Sequence, residues 1–388
     1  MKPKLAEPLK SELSGIARRH VEDGDVPGLV VVVATLDDEY VESRGTLTVG
    51  EDRPVRRESQ FRISSVTKPI TAAAVLTLVD EGLLALDQSI DTLLPELAHP
   101  RVLRRPDGPL DDTVAADRAI TVRDLLTYTY GFGMVFDMFT AQEPWPVVDA
   151  TNRLGLGTLG PPDPAHTVAP EAWLAGLGSL PLLAQPGEQW LYQTSGSVLG
   201  MLAARATGLS FPEVLRTRLF EPLGMRDTAF FATDPSRLAT AYGSGPEGVV
   251  VTDEPDGAWS RPPAFPDGGA GLVSTADDLL AFSRMLLRGG SPVLHPRTVA
   301  EMTSPQLTEA QQASPAVGQF IGAGTWGLGV AVYPDGSFGW SGGPGQNWRV
   351  DPSRGLVVIT LTQRAFDGPQ PLPAVHAEIL DAAYAAAA

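Results

Sequence analysis

Ser65 and Lys68, in Ser65-Val66-Thr67-Lys68, put a hydroxyl and an amine three residues apart. In a helix that spacing places both near one face. A serine hydroxyl is a poor nucleophile until a base takes its proton, and a lysine can be that base once burial lowers its pKa. Ser-x-x-Lys alone is common and arises by chance. Lysine usage is what makes it informative here. Of the 29 basic residues, all but Lys2, Lys4, Lys10 and Lys68 are arginine. Arginine keeps its proton in any protein setting, so position 68 reads as one that requires a titratable amine beside Ser65.

The elements that must hold this pair follow from periodicity. Residues 8–23 carry Leu9, Leu13, Ile16, Ala17 and Val21 at helical spacing, and Leu29–Ala34 is a buried strand. Asp37-Asp38 turns the chain into a second strand near Tyr40–Arg44, and a third short strand is expected at Gln60–Ile63. A helix then runs from Ser65 to Gly82, with Pro69 tolerated only in its first turn. Ser65 thus sits at a helix N-terminus, where free N–H groups favour negative charge. Further helices are expected at 121–127, 171–184, 195–207, 211–219 and 274–288, the last capped by Ser274 with Asp277. Strands are expected at Trp326–Val332, Phe338–Trp340, Trp348–Val350 and Leu356–Leu361, before a final helix over 371–387. The fold class is α+β: an antiparallel sheet built from 1–80 and 265–388, flanked by helices, with a mostly helical lobe over 81–264. Within that lobe, 131–170 has little regular pattern but many bulky residues, Met134 and Trp145 among them. It is expected to line the substrate pocket.

Composition narrows the function. A net charge of −17 argues against nucleic acid or an anionic membrane as partner, and no apolar run is long enough to span a bilayer. The absence of cysteine excludes thiolate catalysis and disulfides. The five histidines, His20, His99, His166, His295 and His376, lack metal-ligand spacing, so neither metal nor cofactor is expected. With no apolar run behind the N-terminal charges, a cytoplasmic enzyme of unknown oligomeric state is the expectation.

Two more stretches complete a pattern: Pro186-Gly187-Glu188-Gln189-Trp190-Leu191-Tyr192-Gln193-Thr194 before a helical run, and Trp340-Ser341-Gly342-Gly343 after a strand. With Phe61-Arg62-Ile63-Ser64-Ser65-Val66-Thr67-Lys68, Leu125-Leu126-Thr127-Tyr128-Thr129-Tyr130-Gly131 and Gly269-Ala270-Gly271-Leu272-Val273-Ser274, the order resembles the serine β-lactamase and penicillin-recognising superfamily. It is most similar to class C-like members and the family VIII carboxylesterases. The resemblance runs from about 12 to 380. It implies a β-lactamase-like fold and acyl transfer through a covalent intermediate on Ser65, with Lys68 and Tyr192 as general base and acid. It also implies an oxyanion hole from the N–H groups of Ser65 and Gly343. Substrate would lie against Tyr128, Met134, Thr194, Trp340, Ser341 and Gly342. Two departures stand out: Tyr-x-Asn is Tyr192-Gln193-Thr194, and Lys-Thr-Gly is Trp340-Ser341-Gly342. Trp340 supplies no cation for a β-lactam carboxylate, which points to uncharged esters. The expected function is hydrolysis of small carboxylic esters, the alternatives being acyl transfer to an alcohol or amine, or amide hydrolysis on the same fold. Arg349 is a possible substitute cation.

Two other motifs compete with this pattern. Gly339-Trp340-Ser341-Gly342-Gly343 matches a nucleophile elbow, with Asp351 or Asp367 and His376 following in order. Yet Pro344, Gly345 and a strand follow it, where an elbow needs a helix. Gly155-Leu156-Gly157-Thr158-Leu159-Gly160 matches a dinucleotide fingerprint but runs into Pro161-Pro162, so it reads as loop.

Overall fold

The computed structural model describes residues 5–165, 168–246 and 248–387. Lys2, Lys4 and His166 lie outside the described residues. Helix α1 (Glu7–Glu22) is amphipathic, burying Leu9, Leu13, Ile16, Ala17 and His20. Strands β1 (Gly28–Ala34) and β2 (Glu39–Gly45) form a hairpin, followed by the short strand β3 (Phe61–Arg62) and helix α2 (Thr67–Asp80). The middle of the chain contains hairpin β4 (Arg101–Leu103) and β5 (Thr113–Ala115), then helices α3 (Val122–Leu126), α4 (Asp137–Thr140), α5 (Pro146–Arg153), α6 (Pro170–Gly178), α7 (Thr194–Thr207), α8 (Phe211–Leu215) and α9 (Glu221–Leu223). A second hairpin, β6 (Ala241–Gly245) and β7 (Gly248–Asp253), and strand β8 (Val273–Ser274) come next. Helices α10 (Ala276–Leu287), α11 (Pro296–Met302), α12 (Glu309–Gln312) and α13 (Pro315–Phe320) lead to strands β9 (Thr325–Trp326), β10 (Ala331–Val332), β11 (Phe338–Gly342), β12 (Gln346–Asp351) and β13 (Leu356–Thr362). Helix α14 (Ala374–Ala386) ends the chain.

The main sheet has seven strands in the order β2-β1-β13-β12-β11-β10-β9, every pair antiparallel. N- and C-terminal segments therefore share one sheet, as the sequence pattern anticipates. Every residue of β1 is buried, because the sheet is covered on both faces. Val30 and Val32 face the large core around α2, while Leu29, Val31 and Val33 face a second core with α1 and α14. Helix α2 is buried on all sides from Thr67 to Leu78, the signature of a central helix. Burying nearly every position of α2 is what takes Lys68 out of water.

Several expected boundaries shift. The cap of α10 is Thr275, whose side chain accepts from Asp278 N, rather than Ser274 with Asp277. The expected strand Trp326–Val332 divides into β9 and β10 around a turn with Gly329 at φ +77°. The helix expected over 171–184 stops at Gly178, ahead of Pro181, and that over 211–219 is α8 continued by a wider π turn to Phe220. The stretch 131–170 contains α4 and α5, too short to show periodicity. No single helix among the described residues is long and apolar enough to cross a membrane.

Candidate active site

The segment that carries Ser65 leaves β3 and makes a single 3-10 turn, Ser64–Val66, before α2 begins at Thr67. Ile63 N–H donates to Leu272 O (3.0 Å) and Leu272 N–H to Thr67 Oγ1 (3.2 Å), so Leu272, just ahead of β8, grips the turn from both ends. Ser64 is held at φ +43°, Gln193 at +82° and Tyr128 at +62°. Such conformations cost roughly 1–3 kcal/mol each and persist only where packing overdetermines them. Ser64, Gln193 and Tyr128 all lie in or directly behind the site.

Lys68 is fully buried, and its Nζ lies 3.0 Å from Ser65 Oγ, 2.6 Å from Gln193 Oε1 and 2.7 Å from Gly269 O. Burial pushes its pKa down to about 7, with the charge of Asp267 pulling the other way. Valence then decides how the amine points. A neutral amine has two N–H donors and one lone pair, and both carbonyl oxygens can only accept. With its hydrogens taken by Gln193 and Gly269, the lone pair is left for the Ser65 hydroxyl. Asp267 fixes this arrangement at one remove, accepting from Gly269 N–H (2.8 Å) and Ser197 Oγ–H (2.6 Å).

On the other side of Ser65, Trp340 Nε1–H donates to Tyr192 Oη (3.0 Å) and Tyr192 O–H donates to Ser65 Oγ (2.8 Å). Indole N–H is only a donor, so the direction of the chain is set: Trp340 to Tyr192 to Ser65 to Lys68. Burial raises the Tyr192 pKa to about 12, while the bonds to Ser65 and Trp340 work against that rise. The phenol therefore keeps its proton at neutral pH and can give it away. Its ring is stacked on Phe320 (4.4 Å) and Trp190 (5.7 Å), which fixes its orientation.

A cavity of about 660 Å³ opens over Ser65, within the usual range for small-molecule sites. Met134, Tyr192, Trp340, Ser341 and Gly343 line it with Ser65, and from the 131–170 stretch Phe139, Gly160, Pro161 and Pro162 also contribute. Tyr128 and Thr194 do not line it. Both are fully buried, Tyr128 edge-on to Trp326 (4.9 Å between ring centres) and Thr194 Oγ1 accepting from Thr158 Oγ1–H (2.9 Å). Gly342 is not in the lining either. A Cβ there would fall 2.4 Å from Ile63 O, so glycine lets the end of β11 close on the Ser64–Val66 turn. Arg349 supplies no cation to the cavity: its guanidinium stacks on Tyr333 at 3.4 Å. The charged lining residues are Arg62 and Asp253, paired to each other, with Arg62 also donating to Ala239 O and Glu254 O (3.0 Å). The competing Ser341 lies within β11, its Oγ accepting from Asn347 Nδ2–H (2.9 Å), and β12 follows it rather than a helix. His376 sits on α14 in the far core.

Sequence reasoning missed Gln193 and Asp267. The amide that Lys68 contacts belongs to Gln193, the residue directly after Tyr192. That reach depends on the positive φ at Gln193, which a residue with a Cβ does not advertise.

Residues 13–382 match the Beta-lactamase family. The chain belongs to that family. Its relatives include an uncharacterized protein of Mycobacterium tuberculosis, 36% identical over 338 residues, which are 81% of this chain and 80% of that protein. Esterase EstB of Burkholderia gladioli is 32% identical over 392 residues, covering 94% of this chain and 92% of its own. Among solved structures, EstCE1, a hydrolase with promiscuous acyltransferase activity, superposes with a TM-score of 0.81 at 27% identity, covering 97% of this chain and 98% of EstCE1. The fold of this Beta-lactamase family member is thus the β-lactamase-like one, an antiparallel sheet with flanking helices.

Proposed function

We propose that the protein is a serine esterase that hydrolyses small, uncharged carboxylic esters through an acyl-enzyme on Ser65. Lys68 takes the Ser65 proton as Oγ attacks the carbonyl carbon. The oxyanion that forms is held by the N–H groups of Ser65 and Gly343, donors typically worth about 3–4 kcal/mol each. Tyr192 gives its proton to the departing alcohol oxygen and afterwards takes one from the water that attacks the acyl carbon; as the bond to Ser65 Oγ breaks, Lys68 returns its proton to that oxygen. The observation that carries this reading is the one-way hydrogen-bond chain from Trp340 to Lys68, ending on an amine whose pKa burial has brought to about 7. Family membership and the likeness to EstB and EstCE1 support the same class of chemistry. Among the described residues the cation in the lining, Arg62, is paired with Asp253, which supports neutral substrates over β-lactams.

Acyl transfer is the second reading, favoured by the acyltransferase activity of EstCE1. It uses the same intermediate, with an alcohol or amine replacing water. Both predict a covalent adduct. Incubation with a p-nitrophenyl ester should give a burst of p-nitrophenol and a mass increase on the peptide containing Ser65. Ser65→Ala should lose both, while Ser341→Ala should retain them. Labelling at any other serine would end the proposal.

A further inference from the structure

The residues that line the single cavity over Ser65 fall into two groups by what holds them. On the Tyr192 side its wall is aromatic. Phe320 stacks on Tyr192 at 4.4 Å, Met134 is tied to Tyr192 by reciprocal backbone bonds (2.7 and 3.1 Å), and Phe139 of α4 and Tyr333 complete it. Phe136 N–H donates to Gln319 Oε1 (3.3 Å), so α4 and α13 meet there. On the Arg62 side the wall is one connected unit. Arg62, three residues before the nucleophile, pairs with Asp253 at the end of β7, and Asp253 Oδ1 accepts from Ala258 N–H (2.9 Å). That last bond starts the turn that presents Trp259, and Tyr242 of β6, opposite Val251 of β7, also lines the cavity.

Chemistry assigns these two walls different halves of an ester. When Ser65 Oγ bonds to the carbonyl carbon, the bond that breaks is from that carbon to the alcohol oxygen. The departing oxygen takes the Tyr192 proton, so it must lie on the Tyr192 side of the carbon. Whatever it carries extends along the wall beside Tyr192. The acyl chain, the remaining substituent, is directed away from Tyr192.

We propose that the cavity has two arms: an aromatic arm of Met134, Phe139, Phe320 and Tyr333 that binds the alcohol half, and an arm of Tyr242 and Trp259 that binds the acyl half. This deepens the esterase reading and rests on it. The arm beside Tyr192 selects esters of flat, apolar alcohols, because aromatic rings stack on Phe320 without needing a charge. The same arm receives an incoming alcohol in acyl transfer: the alcohol proton passes to Tyr192, which gave up its own to the first alcohol, the new oxygen bonds to the acyl carbon, and the bond to Ser65 Oγ breaks as Lys68 returns its proton.

Two ester series test the assignment. One varies the alcohol from methyl to 2-naphthyl on a constant acetyl group; the other varies acyl length on constant p-nitrophenol. Phe320→Ala should lower the ratio of kcat/KM for 2-naphthyl over methyl acetate about tenfold, near the upper end expected for a lost aromatic contact. Its acyl-length profile should keep the wild-type shape. Trp259→Leu should change the acyl-length profile and keep the naphthyl-to-methyl ratio. Phe320→Leu, which preserves bulk, provides a second variant should the alanine fail to fold. If Phe320 variants reshape the acyl profile, or both series move together, the division into arms is wrong. A fluorophosphonate that labels Ser65 in wild type and variants keeps the esterase reading in force when the arms fail. Absence of label from wild type would instead show that the esterase reading has failed.

Discussion

The three groups around the Lys68 amine account for more of the site than the bare Ser-x-x-Lys spacing does. Two carbonyls take its hydrogens and leave its lone pair for Ser65. Since only the neutral amine can accept that proton, kcat/KM should rise with pH through a midpoint of about 7 and then level, which a pH–rate profile on a neutral ester would show. Gln193→Glu places a carboxylate against Lys68 and favours the ammonium. The midpoint should rise by roughly 1–3 units, and an unmoved profile would rule out Gln193 as the residue that positions the amine. The lysine count already marked position 68, because arginine cannot perform this task. Gln193 could not be read the same way: its role comes from backbone geometry, and the family pattern points one residue further on, to Thr194, which is buried against Thr158.

At the scale of elements, β11 and the 3-10 turn at Ser64–Val66 meet through Gly342, where an added Cβ would collide with Ile63 O at 2.4 Å. Gly342→Ala should therefore push Gly343 and Trp340 away from Ser65. A displacement of about 1 Å in such a site costs on the order of a hundredfold in rate. Steady-state kinetics should show the loss mainly in kcat, with melting temperature changed much less; an active alanine variant would contradict this account. Strands with long β-branched runs, such as Leu29–Ala34 and Leu356–Leu361, were readable because burial on both faces leaves an uninterrupted apolar signature. The hairpin β6–β7 carries such a run too, Val249-Val250-Val251-Thr252, yet it lies in a segment expected to be mostly helical. Helices α4 and α5 were hidden for the opposite reason, being too short for their period to appear. The pieces of the cavity wall that come from such segments were consequently the least legible part of the site.

For the molecule as a whole, burying an ionisable amine inside the central helix carries a thermodynamic signature. Lys68 has a pKa of about 7 when folded, against about 10.4 in an unfolded chain. Between these values the unfolded chain binds more protons, so the lysine's contribution to stability improves as pH rises and is constant below about 7. Lys68→Met removes this dependence. The unfolding free energy of wild type should gain on that of the variant by on the order of 4 kcal/mol from pH 7 to pH 10. Parallel denaturant titrations at several pH values measure the difference, and a constant gap would mean that the amine is charged in the native state.

Strand β1 stands between β2 and β13, with Leu29 opposite Thr362. A ribosome making this chain therefore emits the Ser65 segment long before the strand that completes its platform. Closing so long a loop is slow and comes late. Hydrolytic competence should accordingly appear only after the last strand has left the exit tunnel, with the unpaired edge of β1 exposed until then to capture by chaperones or by other nascent chains.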